Sequence, residues 1–198
     1  PLHLKTIARP ISAGDIFWGM RISPAACASV LTTDPGAMRV DQQYSPGQFP
    51  HLTAGVADLL ENARSLEDAI PVFESRMEAL SVEIDDRLAA AVRAITDNDG
   101  EIKIEHLGRM VGLSTRHLQR LFKASSGMSP KQFARIRRIR AAASILVDGK
   151  PVNWADRALE MGFSDQSHLT NEFSSVTKSS PIAFARKIRS IKHGTILK

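Results

Sequence analysis

A repeated pattern in the second half of the chain is the feature that most constrains its fold. Gly112-Leu113-Ser114 returns as Gly162-Phe163-Ser164 fifty residues later. The segments that begin at Ser129-Pro130 and Ser180-Pro181 repeat fifty-one residues apart. Two copies are too few for a solenoid of stacked repeats. The repeat therefore predicts two small modules of similar architecture.

Each copy has the sequence pattern of a helix-turn-helix. In the first copy, Ile104, Leu107 and Val111 recur at helical spacing, Gly112 ends their helix and Ser114 caps the next one. Two short helices joined by a tight turn with glycine are typical of this motif. We place the two modules at about 102–124 and 152–176.

The second copy and the segment between the copies are also predicted to be helical. Ser164 is expected to be the N-cap of the second helix of the second module, with Asp165 in its first turn. Ser129-Pro130 is expected to open a long helix through about Val147 that joins the modules. The sequence thus predicts a mainly α fold.

Residues 1–83 are predicted to form a small mixed α/β region in front of the modules. Its expected elements are a strand at Ile16–Ile22, a short helix from Ser23-Pro24 to about Leu31, a loop over 32–50, a helix marked by Val56, Leu59 and Leu60, and a helix from Ser65 to about Leu80 that Pro71 should kink or interrupt.

The charge divides the chain at the same place. Residues 1–83 contain six basic and ten acidic residues, a formal charge of −4, whereas residues 84–198 contain twenty basic and eleven acidic residues, a charge of +9. An asymmetry of this size predicts two parts, the second of which is attracted to a polyanion. Charge alone leaves nucleic acid, lipid headgroups and a ribosomal surface open.

The second helix of the first module carries side chains suited to reading DNA. Leu118, Leu121 and Phe122 are expected to face its core. The residues that we expect to contact DNA are Thr115, Arg116, Gln119, Arg120 and Lys123. Arginine and glutamine can make paired hydrogen bonds to guanine and adenine. Direct base contact is therefore expected from Arg116 or Gln119.

The matching helix of the second module is polar rather than basic. Its expected DNA contacts are Gln166, Ser167, Thr170 and Asn171. Glu172 would repel phosphate if it faced the DNA. We also expect Arg138, on the linker helix, to brace the second module through Asp156.

The sequence predicts no metal site, cofactor or catalytic activity. His106, His117 and His168 lie on separate predicted helices without ligands at suitable spacing, and no phosphate-binding glycine loop or nucleophile motif appears. No apolar run reaches membrane-spanning length and no signal peptide opens the chain, which favours a soluble, cytoplasmic protein. Because the first residue is Pro1, we expect an N-terminus that is processed, trimmed or incompletely represented.

The two segments GLSTRHLQRLFKASSGMSPKQFARIRRIRAAASIL and GFSDQSHLTNEFSSVTKSSPIAFARKIR resemble the C-terminal DNA-binding region of the AraC/XylS family of bacterial transcription regulators. The resemblance covers about residues 84–190. It implies two helix-turn-helix modules on one linker helix, each with a recognition helix in one of two neighbouring major grooves. The sequence departs from the family pattern at Asn171, where a basic residue is common, and at Lys178-Ser179-Ser180, where a glycine is usual.

The resemblance also implies partners and leaves alternatives open. Residues 1–83 are similar to the end of a cupin-like sensor domain with its dimerising helices, so a small-molecule effector, a second copy and RNA polymerase join double-stranded DNA as expected partners. We expect a bacterial, nucleoid-associated protein without membrane contact.

The alternatives are a non-specific architectural DNA-binding protein and an Ada-type repair methyltransferase. The second alternative requires several cysteines, whereas this sequence contains only Cys27.

Overall fold

The computed structural model describes residues 14, 16, 18–38, 45–80, 82–148 and 152–191. Within those ranges the chain is mainly α-helical. The helices are α1 (Cys27–Leu31), α2 (Pro50–Thr53), α3 (Val56–Leu60), α4 (Leu66–Glu78), α5 (Asp86–Asp97), α6 (Ile104–Met110), α7 (Thr115–Ser126), α8 (Pro130–Asp148), α9 (Trp154–Glu160), α10 (Gln166–Thr177) and α11 (Pro181–Ile191), with a short 3₁₀ helix at Pro46–Gln48.

The described part of residues 1–83 does not support the mixed α/β character predicted for this region. Residues 18–23 form neither helix nor strand, and no strand occurs in the part of the chain that the structure describes. Apolar and β-branched residues favour a strand only where a neighbouring strand can accept the backbone hydrogen bonds. The predictions at Phe17 and 39–44 lie outside the described residues.

The helices predicted in the N-terminal region are present, but α1 begins at Cys27 with Ala26 as its N-cap, so the predicted start at Ser23-Pro24 is wrong. The Oγ of Ser23 accepts a hydrogen bond from the Ala25 amide at 3.3 Å in the turn that leads into α1. Ser65 and Asp68 cap α4 reciprocally, as the sequence indicates. Pro71 does not interrupt α4, which continues to Glu78.

The first module is built around one apolar core. Leu88, Val92 and Ile95 of α5 pack with Leu107 of α6 and with Phe122 of α7. The N-terminal region contributes to this core too, through buried Ala25. The packing therefore crosses the predicted boundary between residues 83 and 84.

The second module repeats this arrangement. Leu169 and Phe173 of α10 are buried against Ala158 of α9. The Phe173 ring lies 5.3 Å from the Phe184 ring, centroid to centroid, whereas Phe122 and Phe133 form the equivalent pair in the first module at 5.7 Å. The sequence repeat thus corresponds to a repeated packing unit.

Helix α8 is shared by both modules. Ala134, near its beginning, belongs to the first core, whereas Ile139 and Leu146 belong to the second. Two adjacent arginines of α8 form hydrogen bonds to the two modules, one to each. Arg137 donates to the Thr96 carbonyl at 3.1 Å, and Arg138 fastens α8 to the second module.

No helix among the described residues combines the length and apolar character that crossing a membrane requires.

Candidate nucleic-acid interface

Helix α7 begins at the predicted residue and presents the predicted face. The Oγ of Ser114 accepts the His117 amide at 3.2 Å, which makes Ser114 the N-cap. Leu118 and Phe122 are fully buried. The outer side carries the residues predicted to contact DNA, of which Thr115 is half-buried and the others are exposed: Arg116, Gln119, Arg120 and Lys123.

The outer face of α7 is strongly cationic. It carries Arg116, Arg120 and Lys123, and α7 itself contains no acidic residue. Among the described residues, no acidic side chain forms an ion pair with these three. A helix with buried apolar residues on one side and unneutralised cations on the other is suited to approach phosphates.

Helix α10 begins one residue later than predicted. Its N-cap is Asp165, whose carboxylate accepts the His168 amide at 2.7 Å, so the assignment of the cap to Ser164 is wrong. The turn glycines lie fifty residues apart, whereas buried Leu118 and Leu169 lie fifty-one apart. The second module thus has one extra residue between turn and helix, and Asp165 takes the position of Ser114.

Local hydrogen bonds lower the pKa of the capping carboxylate. The largest cause is the backbone hydrogen bond from His168, followed by the Ser164 hydroxyl. The Nδ1 of His168 lies 3.0 Å from that hydroxyl, and its ring stands edge-on to Phe163. The His168 side chain therefore takes part in the structure of this helix start.

The predicted contact residues of α10 also share its outer side. Gln166, Ser167 and Asn171 are exposed, and Thr170 is half-buried. A register of fifty-one residues places Ser167 and Asn171 at the positions that Arg116 and Arg120 hold on α7. The two outer faces therefore have the same geometry but different charge.

Glu172 is turned toward the linker helix. Its carboxylate forms an ion pair with Arg135 of α8, and Arg135 also donates to the Ser175 hydroxyl. The sequence interpretation missed this pair. A register argument could have found it, because Glu172 corresponds to Leu121, which packs against the core of the first module.

Arg138 braces the second module through other atoms than predicted. Its guanidinium donates to the Gly162 carbonyl at 3.3 Å and lies 5.2 Å from the centre of the Phe163 ring. Asp156 does not take the predicted role, because its carboxylate accepts a hydrogen bond from Asn153 at 2.7 Å at the start of α9.

Within the described residues, no group of three or more His, Cys, Asp or Glu side chains is arranged to hold a metal ion.

Comparisons with known proteins place the interface in a family context. Residues 107–187 match the helix-turn-helix domain family. The probable transcription factor PqrA of Proteus vulgaris is 37% identical over 87 residues, which are 44% of this chain and 70% of PqrA. The regulatory protein ada of Salmonella typhimurium is 35% identical over 82 residues, which are 41% of this chain. This chain spans only 22% of the length of that protein.

The chain is also similar to a solved structure. A probable AraC family transcriptional regulator from Rhodopseudomonas palustris shares 27% identity, with a TM-score of 0.47. The alignment covers 53% of this chain and 99% of that one.

Proposed function

The chain belongs to the AraC/XylS family of transcription regulators, and from this membership we propose that it recognises a specific operator through α7 and α10. Each of these two helices enters one of two neighbouring major grooves, and residues 84–198 act as the DNA-binding domain. The observation that carries the proposal is the outer face of α7, where Arg116 and Gln119 project beside further cations from a helix anchored by Leu118 and Phe122.

The two helices make unequal contributions. Arg116, Arg120 and Lys123 of α7 supply phosphate attraction together with base contacts. The uncharged face of α10 supplies hydrogen bonds from Ser167 and Asn171. We expect most of the salt dependence of binding to come from the first module. The logarithm of the binding constant should fall against the logarithm of the salt concentration with a slope of about 0.9 for each phosphate neutralised.

The N-terminal region supplies regulation in this proposal. Residues 1–83 provide contacts to a second copy or a response to a small-molecule effector, and the regulator acts on RNA polymerase at promoters in the bacterial cytoplasm. The opposite charges of the two parts support this division, because an acidic surface is repelled by DNA.

Two other functions are less well supported. An Ada-type alkyl acceptor needs a reactive thiolate, but burial raises the pKa of the Cys27 thiol, which opposes ionisation. A non-specific architectural protein would bind all sequences alike, whereas a regulator prefers its site by roughly a thousandfold or more.

Selection from a random double-stranded DNA library with the full chain tests the proposal. We expect one enriched sequence. Arg116→Ala should weaken binding to it by about 1–3 kcal/mol and relax the preference at one base pair, because the substitution removes a base contact. Folding should be unaffected, because Arg116 is exposed and the substitution removes no core volume. Arg93→Ala, which removes an exposed cation from α5, is the matched control and should leave base preference intact. Equal weakening on every sequence by Arg116→Ala would instead assign that residue to phosphate contact.

A further inference from the structure

A single arginine of the linker helix holds one flank of the second reading helix. The guanidinium of Arg135 pairs with the Glu172 carboxylate and also donates to the Ser175 hydroxyl. Ser175 in turn donates to the Glu172 backbone carbonyl at 2.8 Å. Residues 172 and 175 lie about one turn apart, so both contacts fall on the same side of α10. An arginine fork can make two such contacts in a fixed geometry, which a lysine cannot.

This flank differs in kind between the two modules. In the register of the repeat, Glu172 corresponds to Leu121, and Ser175 corresponds to Ala124. Leu121 packs against the core of the first module. The second module therefore replaces an apolar contact with a polar clamp.

The pair is partly removed from solvent. The side chains of Arg135 and Glu172 are only 38% and 26% exposed. A carboxylate that is partly desolvated loses more when its partner is removed than one on the open surface. Glu172 is also the one acidic residue among the twelve of α10, and the outer face of this helix has no cation to offset it.

We infer that Arg135 is a positioning residue for DNA reading by the second module, through its clamp on Glu172 and Ser175. The clamp fixes the orientation of α10 on α8 and neutralises the one carboxylate of a helix that the proposal places in a groove between phosphates. This inference rests on the proposed function, since it requires that α10 lies in a groove. Loss of Arg135 should then affect only the half of the operator that the second module reads.

The test uses the full chain and the operator recovered by selection from random double-stranded DNA. Arg135→Ala should lower affinity by roughly fivefold, the upper range for a partly exposed pair, and flatten base preference in the second half alone. Adding Glu172→Gln to this variant should restore most of the loss, because the uncompensated carboxylate is gone. Arg135→Lys should fall between the wild type and Arg135→Ala. Arg140→Ala removes an exposed cation from the same helix and should change neither half selectively.

Each result separates the inference from the function on which it rests. Additive effects of Arg135→Ala and Glu172→Gln, or equal losses over both halves, would overturn the inference and leave the proposed function standing. If circular dichroism shows that Arg135→Ala is unfolded, Arg135→Lys with and without Glu172→Gln makes the same comparison. No enriched sequence for the wild-type chain would overturn both.

Discussion

At the scale of single residues, Gly127 and Lys178 end two equivalent helices with different side chains. They are the C-caps of α7 and α10, and both adopt the left-handed conformation, with φ of 71° and 57°. This conformation costs an ordinary L-residue about 1–2 kcal/mol, whereas glycine adopts it freely. The departure from the family pattern at Lys178 is thus a strained position, and the helix still ends there.

The two caps should respond oppositely to substitution. Lys178→Gly should raise the free energy of unfolding by about 1 kcal/mol, because it relieves the left-handed strain. Gly127→Ala should lower it, since it adds that strain and its Cβ would lie 2.7 Å from the Pro35 carbonyl oxygen. Urea unfolding of both variants measures the difference. A loss of stability in Lys178→Gly would show that the hydrogen bond from Lys178 to the Ser175 carbonyl outweighs the strain.

At the scale of elements, the start of α10 shows that a sequence repeat can conceal a one-residue shift in the N-cap. Ser114 caps α7, but the cap of α10 is Asp165 rather than Ser164. The extra residue between turn and helix moved the cap, whereas the buried positions kept their register. Asp165 carries a charge that Ser114 lacks, so of α7 and α10 only α10 has a cap that titrates.

The stability that Asp165 contributes should depend on pH. Its pKa is lowered in the folded state, chiefly by the backbone hydrogen bond from His168. A lowered pKa gives stability that is fully present above the ordinary value of 3.8 and is lost as the pH falls through the folded value. Asp165→Asn keeps a capping oxygen without this titration.

The melting temperature of the wild type should therefore exceed that of Asp165→Asn near neutral pH, and the difference should shrink below about pH 4. Comparing the two proteins at each pH cancels the contributions of other carboxylates, including Asp85, whose pKa is lowered to about 2 mainly by the Arg87 side chain. Ser164→Ala removes only the second cause of the lowered pKa, so it should retain the helix start and most of the pH dependence. A difference independent of pH would contradict the role given to Asp165.

The sequence predicted most elements of the modules because their signals are local. Periodic apolar residues and glycine turns located α6 and α7, and the cap at Ser114 followed from its neighbours. The positions of Arg135 and Arg138 depend on how α8 packs against residues far along the chain, and no local pattern encodes their partners. The strand at Ile16–Ile22 failed for the related reason that a strand depends on a neighbour.

At the scale of the whole molecule, the N-terminal region is attached to the first module. The hydroxyl of Ser125, near the end of α7, donates to the Pro24 carbonyl at 2.7 Å, and Ala25 lies in the core. The acidic part and the basic part therefore share packing that the charge pattern alone did not reveal.

Truncation should show this dependence. A protein of residues 84–198 loses Ala25 from the first core and should be less stable than one of residues 18–198, by about 0.8 kcal/mol for the buried methyl group of Ala25 alone. Both proteins should retain a steep salt dependence of DNA binding, because the cations of α7 remain. Equal unfolding free energies would show that the N-terminal packing contributes nothing. A change in preferred base sequence would contradict the division of roles proposed for residues 1–83.

The shared helix α8 has a consequence for the DNA. Its nineteen residues form one continuous rod of about 28 Å, tied to the first module through Arg137 and to the second through Arg138. A continuous helix cannot lengthen, and it cannot rotate one module relative to the other, to follow a displaced half-site. If α7 and α10 read two neighbouring grooves as proposed, five base pairs inserted between the two half-sites would turn the second one to the opposite side of the duplex, since a full turn takes about 10 base pairs. We therefore expect the helical phase of the two half-sites to be as strictly required as their base sequence.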